Sequence, residues 1–227
     1  MSPLDGQLAL VTGASRGIGL EFVRQCREAG AEVWATARDD DGLARIAALG
    51  AQAQRLDVTH GSAATAPGWL ADAPRFDAAV FNAGVYGPHT TALVAPSLAD
   101  FDTVMHTNVL GALQVLPWLV GHLAEGGVLG VISSRMGSMS LRTSPEGGLY
   151  RASKAALNSV LKDVSLAAAG RATCVALHPG WVRTDMGGAG ADLDVADSVA
   201  HLRRTLAGLT PADNGSFLDH DGSPLAW

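Results

Sequence analysis

A chain of 227 residues is long enough to bury one substantial core, and 48% hydrophobic against 17% charged residues supply the apolar side chains to fill it. Sixteen basic against 22 acidic residues give a net charge of −6, which argues against a polyanion surface, so no nucleic-acid partner is expected. No apolar run reaches membrane length, which removes the membrane as a partner, and two cysteines are too few for a disulfide framework.

The opening MSPLDGQLALVTG lacks the basic segment, long apolar stretch and cleavage site of a secretion signal, so a cytoplasmic address is expected. Short apolar runs at 7–12, 31–37, 53–58, 77–84, 128–134 and 172–180 have the length of buried strands. After the first run, Leu20, Val23, Cys26 and Arg27 fall at helical spacing, and Gly30 is placed to end that helix. Residues 61–75, rich in Ala and Pro, read as a short helix with its loops, because strands continue on both sides. Helices are expected at 100–124 and 149–169, with another beginning near Asp194. Cys26 and Cys174 read as buried thiols, and His178 as a residue that packs or bonds at a strand end. Asp219, His220 and Asp221 read as a turn after the last strand rather than a metal site, and no metal is expected. The alternation predicts an α/β fold over 1–227 as one domain: a doubly wound parallel sheet with helices on both faces and a ligand crevice at the carboxyl edge of its strands.

Gly13, Gly17 and Gly19 lie between the first strand and the first helix. A turn without side chains lets the backbone approach a pyrophosphate, and the helix N-terminus favours its negative charge. Such spacing in a glycine-rich chain also serves tight turns, so the context carries the inference. At the end of the second strand, where an adenosine ribose would be read, the sequence offers Ala37 and Arg38, while Arg16 lies in the glycine turn itself. Both arginines favour NADP(H) over NAD(H), although Arg38 would serve equally as a solvated charge and Asp39 and Asp40 dilute the signal.

Tyr150 is one of two tyrosines and Lys154 one of two lysines in the chain. A Tyr with Lys at i+4 is expected by chance about 0.02 times at this composition. On a helix the two share a face. Phenol, with a reference pKa of roughly 10, donates a proton poorly at neutral pH unless a neighbouring cation stabilises the phenolate. A compact ammonium can do this while reaching ribose hydroxyls, which a forked guanidinium does less well.

With these residues in hand, the chain resembles the short-chain dehydrogenase/reductase family over nearly its whole length, which implies a Rossmann-type sheet. TGASRGIG, from Thr12 through Ser15 and Ile18 to Gly19, is similar to the family's glycine turn. LDVT resembles the adenine contact, at Asp57 and Val58, and Asn82, Ala83 and Gly84 resemble the NNAG segment, with Phe81 in place of its first Asn. Asn108 resembles the catalytic asparagine, Ser134 the catalytic serine, and YRASK the Tyr150 and Lys154 pair. HPGWVRTDM resembles the segment in which Pro179, Gly180, Val182 and Thr184 meet the nicotinamide. ISSRMGS, YRASKAALN and the ending FLDHDGSPLAW resemble the C-factor and sniffer carbonyl-reductase subgroup. Ser134 lies 16 residues before Tyr150, a longer interval than the family's, which the loop LRTSPEGG accounts for. Ser138 is the alternative, and Ser133 would point to the opposite side of the strand.

The resemblance implies hydride transfer to a carbonyl carbon, with Tyr150 protonating the developing alkoxide, Ser134 bonding the same oxygen, Lys154 lowering the phenol pKa and gripping the ribose, and Asn108 anchoring a water. Val85, Tyr86, Met136, Leu141, Trp181 and Met186 are candidate lining residues, equally suited to core packing. Their apolar character suits ketones and aldehydes better than charged metabolites. Residues 187–191 leave room for only a small lid, so a tolerant carbonyl reductase is expected. The helices at 100–124 and 149–169 resemble those of the family's dimer interface, which implies a homo-oligomer, dimer or tetramer, although they could pack only on the sheet. A coenzyme-holding sensor of the C-factor kind is the competing reading. A methyltransferase would leave Tyr150 and Lys154 without a purpose.

Overall fold

In the computed structural model, which describes residues 7–60 and 64–227, seven parallel strands form one sheet in the order β3-β2-β1-β4-β5-β6-β7. The strands are β1 (Leu8–Thr12), β2 (Glu32–Ala37), β3 (Gln52–Arg55), β4 (Phe76–Phe81), β5 (Leu123–Ile132), β6 (Ala172–His178) and β7 (Phe217–Asp219). The helices are α1 (Gly17–Glu28), α2 (Asp40–Ala48), α3 (Gly68–Ala71), α4 (Leu98–Met105), α5 (Gly111–Gly121), α6 (Gly148–Ala167) and α7 (Val195–Gly208). The predicted doubly wound α/β fold is the one observed. The expectation for 61–75 falls partly outside the described residues, and α3 occupies its later half.

Strand side chains alternate between two cores. Leu10, Ala79, Phe81, Leu129 and Val131 face one side, with Leu116 and Leu119 of α5 and Leu157 and Leu161 of α6. Val11, Ala78, Val80, Val175 and Leu177 face the other, with Phe22 and Val23 of α1 and Leu202 and Leu206 of α7. This period of two, with both faces covered, is why the runs are apolar at nearly every position. Cys26 and Cys174 are buried, one in each core.

α1 stops just before Gly30, as expected: the glycine's φ of 81° lets Gly30 N and Ala31 N donate to the carbonyls of Arg27 and Cys26. Three other features differ from expectation for local reasons. β5 begins at Leu123 rather than near 128, because Leu123 already pairs with Phe76 before the register jumps to Val128 against Ala78. The expected helix at 100–124 therefore ends at Gly121, and within it residues His106–Leu110 form one turn of π-helix between α4 and α5. β7 is a three-residue strand outside the six apolar runs, with His220 and Asp221 forming the turn beyond it.

Candidate active site

β1 and β4 are neighbours, Thr12 beside Phe81, and their onward connections leave toward opposite ends of the sheet. Their carboxyl ends frame the crevice at which such sheets bind ligands. Asn82 Nδ2 donates to the carbonyl of Gly13 at 2.8 Å, joining the two exits. A Cβ at Gly13, where φ is 69°, would lie 2.7 Å from Ala83 N, and one at Gly19 would lie 2.5 Å from the Gly13 carbonyl. These two glycines are required by packing alone. Gly17 differs: φ is 54°, yet its missing Cβ faces only the Thr184 methyl at 3.6 Å, so its side of the turn stays open. The N-terminus of α1 has no side-chain cap and no acidic residue in its first turn, which leaves its N–H groups for an anion. Ile18, just inside that turn, packs into the α1 side of the core, and Arg45 Nε donates to Ser15 O at 2.8 Å. The cradle fits a dinucleotide phosphate.

Beside the turn, Arg38 is exposed and 3.9 Å from Asp39. Arg16 is committed elsewhere, with its Nη1 2.7 Å from Asp185 on the segment after β6. Asp57 accepts from Thr59 N and Oγ1 at 2.9 and 2.7 Å and lies 3.0 Å from His60 Nδ1. Burial raises its pKa, but the Thr59 bonds and His60 outweigh that and leave it lowered. Val58 packs against Gly111, where a Cβ would come within 2.9 Å of the valine methyl.

Deeper in the crevice the predicted catalytic residues converge. Asn108 sits on the π-turn, fully buried; its Oδ1 accepts from Val85 N and its Nδ2 donates to Val85 O, each at 2.8 Å. The same Nδ2 donates to Ser153 Oγ at 2.9 Å, and Ser153 donates to Tyr150 O at 2.8 Å. A Cβ at Gly84 would lie 3.3 Å from Asn108 Oδ1 and 3.4 Å from Lys154 Nζ, so those two polar atoms face one small space. Tyr150 and Lys154 share a face of α6, with the ammonium 5.7 Å from the ring centroid and bonded to Ile132 O at 2.9 Å. Ser134 leaves β5 with its hydroxyl accepting from Met136 N at 3.1 Å and near enough to the Tyr150 phenol to draw its pKa down. Ser133 bonds Asn158 on α6 instead, and the Ser138 hydroxyl caps Leu141 N, so neither serine occupies the place of Ser134.

The electrostatics depart from the expected lowering of the phenol pKa. Burial raises Tyr150 well above the usual phenol, the Ser134 hydrogen bond offsets part of this, and the neighbouring Tyr86 adds to the rise. Burial likewise lowers Lys154 to about 8. Both groups lose water in the same pocket, and each is pushed toward its neutral form.

The remaining predicted residues flank this centre. Pro179 O accepts from Ser198 Oγ at 2.6 Å; Gly180, with φ 85°, passes His220 and Leu193 closely; Val182 bridges to Leu193; and Thr184 Oγ1 accepts from Gly187 N. His178 ends β6, and burial lowers its pKa to about 4. Of the lining candidates, Val85 is held by Asn108, Tyr86 stacks on Tyr150, and Met136 follows Ser134 and reaches Gly147. Leu141, Trp181 and Met186 stand exposed, with Trp181 Nε1 donating to Gly187 O. Among the described residues no group of three or more His, Cys, Asp or Glu could hold a metal ion. A cavity of about 630 Å³ lies away from Tyr150, against α7 and β7, lined by His201, Thr205 and Leu218.

Ser153, Gly137 and Ile132 O support this cluster and are not singled out by the sequence. Gly137 allows the turn after Ser134 to rest on the backbone of Lys154, where a Cβ would come within 2.8 Å. Ser153 could have been found as the small polar residue one helical turn after Tyr150. The Ile132 carbonyl leaves no trace in a sequence.

A model of the short chain dehydrogenase family matches residues 7–192. The C-signal of Myxococcus xanthus is 40% identical over 155 residues, covering 66% of this chain and 92% of that protein. A short-chain dehydrogenase/reductase from Burkholderia multivorans with bound NADP superposes with a TM-score of 0.87 at 31% identity, covering 97% of this chain and 99% of that one. The carbonyl reductase Sniffer of D. melanogaster gives 0.83 at 27% identity over 98% and 99% of the two chains. With the glycine cradle, the Ser134, Tyr150 and Lys154 cluster and these likenesses agreeing, the chain belongs to the short-chain dehydrogenase/reductase family of oxidoreductases.

Proposed function

We propose that the protein is an NADP(H)-dependent carbonyl reductase that converts a ketone or aldehyde to an alcohol, or runs the reverse reaction. The observation that carries this reading is the convergence of Ser134, Tyr150, Lys154 and Asn108 on one buried site beside Gly84. The coenzyme, when bound, supplies the hydride. Tyr150 gives its proton to the substrate oxygen while Ser134 holds that oxygen by a hydrogen bond. Below pH 8 Lys154 carries its charge and stabilises the phenolate left behind. Asn108 fixes the Val85 backbone and, through Ser153, the start of the Tyr150 turn, and its place beside Lys154 suits a water in the proton path.

The open side of the cradle at Gly17 and the uncapped start of α1 would take the pyrophosphate, with Gly13, Ser15, Ile18 and Gly19 shaping the turn. Arg38 would select the 2′-phosphate, joined by Arg16 once that exposed side chain leaves its pair with Asp185, a preference supported by the NADP bound to the Burkholderia relative. Asp57 and Val58 would hold the adenine, Asn82, Ala83 and Gly84 the adjoining ribose, and Pro179, Gly180, Val182 and Thr184 the carboxamide. The exposed apolar rim at Leu141, Trp181 and Met186 suits uncharged carbonyl compounds of varied size. We read the chain as one cytoplasmic domain; among the described residues no helix is long and apolar enough to cross a membrane. It would work as a homo-oligomer through the exposed Phe101 and Leu113 of α4 and α5 and Leu166 of α6.

The test is NADPH oxidation against a panel of ketones, aldehydes and diketones by wild type and Tyr150→Phe. Wild type should turn over several uncharged members, and Tyr150→Phe should lose about 10²–10⁴-fold in turnover while still binding NADPH. The likeness to C-signal favours one second reading, a sensor that binds coenzyme without turnover. NADPH binding with no activity on any carbonyl would support it, and activity confined to one anionic metabolite would contradict the tolerant-reductase reading.

A further inference from the structure

Tyr150 does not present a bare ring to the crevice. Tyr86, on the loop after β4, stacks against it with centroids 4.5 Å apart and planes 24° from parallel. His89 stacks on Tyr86 in turn, at 4.5 Å and 17°. Three flat rings thus form a column with Tyr150 innermost and buried, Tyr86 half-buried and His89 exposed. The column is held at both ends of its loop. Asn108 fixes Val85 N and O, immediately before Tyr86. Just after it, Gly87 has φ 80° and lies so close to Val104 that a Cβ would come within 2.4 Å of a methyl carbon. Gly147 N donates to Thr90 O at 3.0 Å, tying the same loop to the turn that opens α6. Gly147 itself has φ 61°, and a Cβ there would lie 2.7 Å from the Tyr86 hydroxyl, so the turn before the reactive helix is shaped around Tyr86.

We propose that Tyr86 is a positioning residue for the reaction: its ring, backed by His89, holds the plane of Tyr150 and keeps water from that face of the phenol. This deepens the carbonyl-reductase reading and rests on Tyr150 being its acid. A small side chain could fill the same space, but a stacked ring also fixes the plane of the phenol, in which its O–H lies, and blocks the swing about the Cα–Cβ bond that would carry the hydroxyl away. The groups facing the Tyr150 phenol are Lys154 from α6, Ser134 from the exit of β5 and Tyr86. Those acting on Tyr86 are His89, Arg151 on α6 and Glu146 in the preceding loop. Burial dominates the upward shift of Tyr150, and Tyr86 contributes to the same direction. Removing the Tyr86 ring would admit water and let the phenol ionise at lower pH.

The chain has only two tyrosines, so the ultraviolet tyrosinate band of Tyr86→Phe and of Tyr86→Ala reports Tyr150 alone. Its midpoint should lie lower in Tyr86→Ala than in Tyr86→Phe by about one pH unit. On a ketone accepted by the wild type, Tyr86→Ala should lose about tenfold in turnover with NADPH binding retained, and Tyr86→Phe should recover most of that loss. Tyr86→Leu, which keeps apolar bulk without a flat face, should behave as the alanine variant does and guards against misfolding. His89→Ala should shift the midpoint in the same direction by less. Equal midpoints in Tyr86→Phe and Tyr86→Ala, or full turnover in Tyr86→Leu, would overturn the proposal. A wild type inactive on every carbonyl would sink the reductase reading instead, and the tyrosinate titration would still decide this one.

Discussion

Around Tyr150 the polar side chains are buried, with Asn108 and Ser153 at 0% and Lys154 at 3% exposure, while Trp181 and Met186, on the segment after β6, stand 55 and 41% exposed. This inverts the usual order, in which apolar groups are inside and charged ones outside. These three buried polar side chains have partners, as burial demands: Val85 for Asn108, Tyr150 O for Ser153, Ile132 O for Lys154. At the rim the exposed rings and thioethers have few. The centre is thus fixed by the fold, and the rim is free to meet something else.

The strongest way to break this contrast is Asn108→Ala, which strips two backbone groups of Val85 of their bonds. We expect a loss of about 2–3 kcal/mol in unfolding free energy, measured by urea denaturation, together with loss of turnover. Gly13→Ala should come next, with about 1–3 kcal/mol of strain from the positive φ and the contact with Ala83, and weaker NADPH binding by fluorescence titration.

Lys154→Met sharpens the contrast through pH. The folded Lys154 pKa, about 8, lies below the unfolded value of 10.5, so the folded state binds fewer protons between them. Charged burial therefore costs stability in full below pH 8, and the cost fades as pH rises toward 10. The melting advantage of Lys154→Met over wild type should be largest at pH 7 and shrink by several degrees by pH 10.

Arg38→Ser should cut the preference for NADPH over NADH by about tenfold, read as the ratio of kcat/KM values. Trp181→Ala should be the mildest. Its melting temperature should stay within about two degrees, since a half-exposed rim side chain contributes little to stability, while KM values for bulky ketones shift.

The sheet and the centre were legible because they rest on local pattern. Strands buried on both faces read as apolar runs, the glycine turn lies within seven residues, and Tyr150 and Lys154 are one helical turn apart. What escaped depends on distant partners. Arg16 looked free for a phosphate, but meets Asp185 from 169 residues away. β7 is too short to signal itself, and β5 begins early because Phe76 recruits Leu123 across an interruption that reads as a turn. The effect of Lys154 on Tyr150 was expected from charge alone, whereas burial governs both groups.

The π-turn at His106–Leu110 sets helix quality against function. A π-turn amounts to one surplus residue in an otherwise regular helix. Deleting a single residue there would let α4 and α5 run on as one ordinary helix with better backbone geometry, while rotating Asn108 by about a quarter-turn or more away from Val85 and Lys154. On the role proposed for Asn108, a shortened variant would melt higher yet lose turnover, the mark of an irregularity kept for chemistry rather than for stability.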